Sequence, residues 1–149
     1  MSKKEVVKRL QGFIQRAIVQ QAVHSIAWVI ALFSFGIGLT LITAPPEVLL
    51  RATFQVNFSF AQPHIWGIGF SGLGVLLMTS LSKNPRYSPL FLYGLTLLLG
   101  AWGLFTLPSV IELDGSITAV WAYTALGTIT AIVGLSIDAD TRNGPQERR

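Results

Sequence analysis

Four stretches of this sequence carry no charged residue at all: Ala17–Pro46, Ala52–Ser82, Tyr87–Ile111 and Gly115–Ile137. Each is long enough to cross the ~30 Å hydrocarbon core of a bilayer as a helix, which takes about 20 apolar residues. In lipid a helix satisfies its own backbone hydrogen bonds, so four such gaps constrain the chain to helical spans and leave little else. The stretch Pro63–Leu81, PHIWGIGFSGLGVLLMTSL, shows the logic best. Its length as a helix is about 28 Å. Gly67, Gly69, Gly72 and Gly74 would weaken a helix in water by about 1 kcal/mol each relative to alanine. Between membrane helices the same small residues let backbones approach closely.

Only 12% of the residues are charged against 51% hydrophobic, well below the ~25% charge of a soluble domain. Removing four spans leaves no stretch able to build a separate soluble core. The expected fold is therefore an all-α integral membrane protein with four transmembrane helices, at approximately 23–43, 63–81, 89–107 and 117–137. The whole membrane domain covers 23–137. A basic amphipathic segment, 1–22, precedes it, and a polar tail, 138–149, follows.

The net charge of +4 invites a nucleic-acid reading, but its placement argues against one. With the N-terminus cytoplasmic, Lys3, Lys4, Lys8, Arg9, Arg16, Lys83, Arg86, Arg142, Arg148 and Arg149 all lie inside. Of the 11 lysines and arginines, Arg51 alone then lies outside, as the positive-inside rule requires. The expected topology puts both termini in the cytoplasm, across what we read as a bacterial cytoplasmic membrane. There is no cysteine, which removes disulfides, thiolate metal sites and thiol nucleophiles. The first apolar run is too long for the core of a cleaved signal, so it is expected to remain as an anchor.

Along the chain, Val6, Val7, Leu10, Phe13, Ile14, Ala17 and Ile18 share one helical face, with Lys3, Lys4, Lys8, Arg9 and Arg16 largely elsewhere. Such a segment either lies on the inner leaflet, attracted to anionic lipid, or extends the first span into the cytoplasm. The second fits the unbroken helical pattern better. Pro45-Pro46 should stop the first helix and Pro108 the third. Between them Phe54, Val56, Phe58 and Phe60 alternate with polar residues, an aromatic segment expected at the outer interface or packed over the bundle. It is also the candidate contact surface outside the membrane. Asn84-Pro85 marks a short inner turn, and Ser109–Ser116 an outer acidic one. Trp66, Tyr87 and Trp121 are expected at the membrane interfaces. Two stretches hint at a repeat of helical hairpins: Ile42-Thr43-Ala44-Pro45 against Phe105-Thr106-Leu107-Pro108, and Trp66…Gly72 against Trp121…Gly127.

Chemistry is sparse. No acid or base lies deep in a span, which counts against a proton pump or an intramembrane protease. His24 and His64 sit near span ends and are read as interfacial. Asp138 and Asp140 read as a solvated helix end rather than half a metal site. No enzyme activity, cofactor or metal is expected. What remains is helix packing: Ser34 with Gly38, Gly67 with Ser71, Gly127 with Ala131, and Thr130 with Gly134 are small residues four apart, and Gly36, Gly72 and Gly74 add to these faces. They could be satisfied within one chain or drive oligomers. Thr40, Thr43, Thr79, Thr96, Thr124, Thr128 and Thr130 can bond back along their own helices or across to neighbours.

In layout — basic N-terminus, weakly polar spans, short charged tail — the chain is similar to small phage or bacterial holin-like proteins. The resemblance rests on no motif, so it carries no residue assignments. It implies self-association of spans 1, 2 and 4 into a membrane lesion. The competing expectation is an accessory or assembly subunit bound to another membrane protein. A small channel or transporter is a third, with few polar residues to line its path.

Overall fold

A computed structural model of the chain describes residues 3–45, 47, 58, 61–112 and 117–143. It contains four long helices: α1 (Lys3–Thr43), α2 (Pro63–Lys83), α3 (Ser88–Glu112) and α4 (Ile117–Asn143). No strand occurs among the described residues. All four helices are long and apolar enough to cross a membrane.

The helix ends differ from the expected spans in instructive ways. α1 is one continuous helix from Lys3 to Thr43, so residues 3–22 extend the first span in helical form. Nothing there could break it: proline is absent until Pro45, where the amide of Ala44 makes the final bond to the Thr40 carbonyl at 2.8 Å. α3 runs through Pro108 to Glu112, so Pro108 does not end the helix as expected, and residues 109–112 are helical rather than part of a turn. A proline costs the helix one hydrogen bond, to the carbonyl four residues back, and membrane helices tolerate that loss. α4 continues past Ile137 to Asn143, into what composition suggests is a loose tail. Asp138 and Arg142 form an i,i+4 ion pair at 2.8 Å, and the Thr141 hydroxyl donates to the Asp138 carbonyl at 2.9 Å. A cation in the last turn also suits the helix dipole.

α2 and α3 are joined by a tight connection. The Asn84 amide donates to the Ser80 carbonyl at 2.8 Å, and the Asn84 side chain accepts from the Arg86 amide at 3.3 Å. A single 3-10 turn, Pro85–Tyr87, then leads into α3. Beneath it the buried hydroxyls of Ser80 and Ser88 lie 3.0 Å apart, hydrogen-bonded to each other.

Packing is most extensive between α1 and α2 and between α3 and α4; the two pairs meet through smaller α2–α3 and α1–α4 contacts. Both pairs are antiparallel. Gly38 of α1 faces Gly67 and Ser71 while Ala31 and Phe35 face Gly74, and Gly103, Gly127 and Gly134 meet successively earlier or later turns of the opposite helix in the second pair. The buried core follows helical spacing: Ala27, Ile30, Ala31 and Leu41; Trp66, Phe70, Leu77 and Leu81; Leu92, Leu95, Leu99 and Trp102. From α4 only Val133 joins this apolar core among the described residues.

The alignment of Trp66…Gly72 with Trp121…Gly127 does not bring equivalent residues onto equivalent faces. Gly72 faces open space, whereas Gly127 lies against Thr96, Leu99 and Gly100. The matching faces are Gly67, Ser71 and Gly74 on α2 and Gly127, Ala131 and Gly134 on α4, with identical spacing. Each is carried by the second helix of a pair, and the glycines of each face the first.

Candidate functional site

The residues singled out for helix packing fall into two groups. Ser34 is buried at 1% exposure. A Cβ added at Gly38 would collide with Ser71 and come within 2.6 Å of the Gly67 carbonyl oxygen. One added at Gly67 would lie 2.8 Å from the Gly38 carbonyl oxygen, and one at Gly74 would lie 2.9 Å from that of Ala31. These helices touch backbone to backbone, which only glycine permits. Ser71 fits because its hydroxyl turns back to the Gly67 carbonyl at 2.7 Å. The second pair is looser: Gly127 is 3.6 Å from Leu99 and Gly134 is 3.0 Å from the Tyr93 ring, by the same construction. Ala131 is half-buried on the same helix. Gly36 and Gly72 differ from all of these, being exposed with nothing near them.

The aromatic residues also divide. Tyr87 and Trp121 are exposed. Trp66 is not: it is only 8% exposed and stands edge-on to Trp102, with ring centroids 5.0 Å apart. The expected interfacial tryptophan is a core residue, because its side of α2 faces α3 rather than lipid. Trp102 is the hub. Phe70, Tyr123 and Phe58 also meet it edge-on, at 5.8, 6.1 and 6.1 Å, and Phe105 meets Trp66 at 6.0 Å. Phe58 is the one described residue of the aromatic segment 54–60, and it packs on the bundle; the rest of that segment lies outside the described residues. Outside them too are the side chains of Lys3, Lys4, Lys8 and Arg9, whose backbone is helical within α1.

Every one of the intramembrane threonines named above donates its hydroxyl to the carbonyl four residues earlier. Bonded locally in this way, they do not bridge helices and do not present a polar track.

Several of the remaining polar groups gather at one place. At the end of the bundle that holds the α2–α3 connection, a cleft of about 1370 Å³ opens between α1 and α4. Gly12, Gln15, Arg16, Val19, Gln20, Gln21, Val23, His24 and Ser25 line it from α1, and Ser136, Ile137, Ala139, Asp140 and Thr141 from α4. Pro85 closes one side. The amide Nε2 of Gln20 donates to Oδ1 of Asp140 at 2.5 Å, tying the first helix to the last. Ser25 donates to the Gln21 carbonyl at 2.9 Å.

This cleft was not legible in the sequence. Asp140 reads as a solvated helix end and Gln20 carries no signal of its own; the antiparallel arrangement of α1 and α4 brings them together. The one available hint is that both fall on the side assigned to the termini. Among the described residues no group of three His, Asp or Glu side chains is close enough to hold a metal ion. No family model, curated protein or solved structure matches the chain.

Proposed function

We propose that this is a non-enzymatic integral membrane protein that acts as an accessory subunit, binding another membrane protein from within the bilayer. Both termini lie on the cytoplasmic side in this reading, set by the ten cations that the positive-inside rule would place there. The observation that carries it is the internal use of the small-residue faces. Gly38, Gly67, Ser71 and Gly74 make their close contacts inside one chain, as does Gly127, so they are not available to draw separate copies together. In this reading α4 is the partner face: among the described residues it contributes least to the buried core, and it exposes Trp121, Ile129, Ile132 and Leu135.

A holin-like self-assembling protein is the second reading, favoured by the outward-facing Gly36 and Gly72 and by the overall layout. Timed induction of the protein alone in a bacterium separates the two. An accessory subunit leaves growth and membrane potential intact and admits no impermeant dye. Abrupt depolarisation with dye entry after a delay would overturn that reading in favour of lesion formation.

A further inference from the structure

We propose that the cytoplasmic part of α1 is a docking helix that enters an apolar, acid-rimmed groove on the partner protein. This rests on the accessory-subunit reading and adds the partner's chemistry to it. Length sets the helix apart. α1 has 41 residues against 21, 25 and 27 for the other long helices, and about 20 fill the hydrocarbon core. Counted back from Thr43, those 20 or so end near His24. Gln20 lies against Asp140 and α4 runs antiparallel, so its last residue, Asn143, falls level with about residue 17. α1 continues past it for about 14 residues, or ~21 Å.

The projecting part is not polar all round. Leu10, Ile14 and Ile18, four residues apart and so on one face, are exposed, and none of them lines the cleft on the α4 side. An apolar stripe at i, i+4 and i+8 beyond the hydrocarbon core is what a helix presents to a groove. The flanks choose the charge of that groove. Residues 3–10 hold Lys3, Lys4, Lys8 and Arg9 against Glu5 alone, and helical spacing puts Lys4 and Arg9 about 100° to either side of Leu10. Basic flanks on an apolar stripe complement an acidic rim. Anionic lipid offers the same charge, but only to a helix turned flat against the bilayer. Sharp kinks form mostly at proline, glycine–serine pairs or π-bulges. Residues 13–35 contain neither proline nor glycine and are α-helical throughout. The Gln20–Asp140 bond also holds α1 to α4 at the membrane edge.

The test places a photoreactive phenylalanine analogue in the full-length protein in its native cells, one position at a time. Leu10, Ile14 and Ile18 report the stripe, Gln15 and Val19 the cleft side, and Ile132 the face of α4. The stripe positions should give one protein adduct that Gln15 and Val19 do not, and the crosslinked peptide of the partner should be rich in Asp and Glu. Lys4→Gln/Arg9→Gln should lower that adduct about fivefold, the scale of two exposed charge contacts, and leave the yield from Ile132 unchanged. Adducts with lipid alone, with a second copy of this chain or with a peptide lacking acidic residues would overturn the proposal. So would an unchanged yield in the charge variant. Partner adducts from Ile132 with none from the stripe would overturn the docking helix and leave the accessory-subunit reading standing; none from either would overturn both.

Discussion

At the scale of single residues, the glycines of this chain are not interchangeable, and the difference is one of neighbouring atoms. Gly38 and Gly74 abut the backbone of the opposite helix, which cannot withdraw from a methyl group without parting the pair. Alanine at either position is expected to lower stability by about 1–3 kcal/mol, the usual cost of overpacking. Gly36→Ala and Gly72→Ala meet open space and should be neutral, or stabilising by up to about 1 kcal/mol through helix propensity. Unfolding in mixed detergent micelles, followed by circular dichroism, measures all four; equal losses would contradict the contact geometry. Trp102 is a second sharp position. Fully enclosed and met edge-on by four other rings, its replacement by alanine should cost about 3–5 kcal/mol, read by the same unfolding curves. Which glycines touch and which do not was beyond the sequence, because Gly67 and Gly72 lie in the same apolar, glycine-rich stretch and what separates them is the side of α2 they occupy. That Trp66 turns to the bundle was hidden for the same reason. An aromatic near a span end can face headgroups or the bundle, and its position along the chain does not distinguish these.

At the scale of helices, the apolar centres of the spans were legible and their ends were not. The uncharged gaps mark where lipid requires apolar side chains, but a helix need not stop where its apolar stretch does. Thus α4 carries Asp138, Asp140 and Arg142 beyond the gap, held by the i,i+4 pair, and α3 passes Pro108. This extension is what allows Asp140 to reach Gln20 and close the cleft. Because the chain has no cysteine, the contact can be tested cleanly. A Gln20→Cys/Asp140→Cys variant should form an intrachain crosslink with a short thiol-to-thiol reagent, which spans more than the ~7 Å Cα separation a disulfide allows, seen as a mobility shift of the monomer band. Crosslinked dimers in its place would show that the two helices meet between chains.

At the scale of the whole molecule, the account's central claim is that the small-residue faces close one chain into a bundle of two packed helix pairs. Four spans could be counted from the sequence and a repeat of helical hairpins suspected, yet which small-residue faces close the pairs could not be read, since small residues four apart serve contacts within and between chains equally well. The structure uses Gly67, Ser71 and Gly74, and again Gly127, Ala131 and Gly134, on the second helix of each pair. The most direct test is the mass of the unaltered protein in lipid nanodiscs at a low ratio of protein to lipid. The account predicts one 16.2 kDa chain per disc, whatever the ratio of empty to filled discs. Discrete multimers that persist on dilution would contradict it and return the glycine faces to assembly between chains.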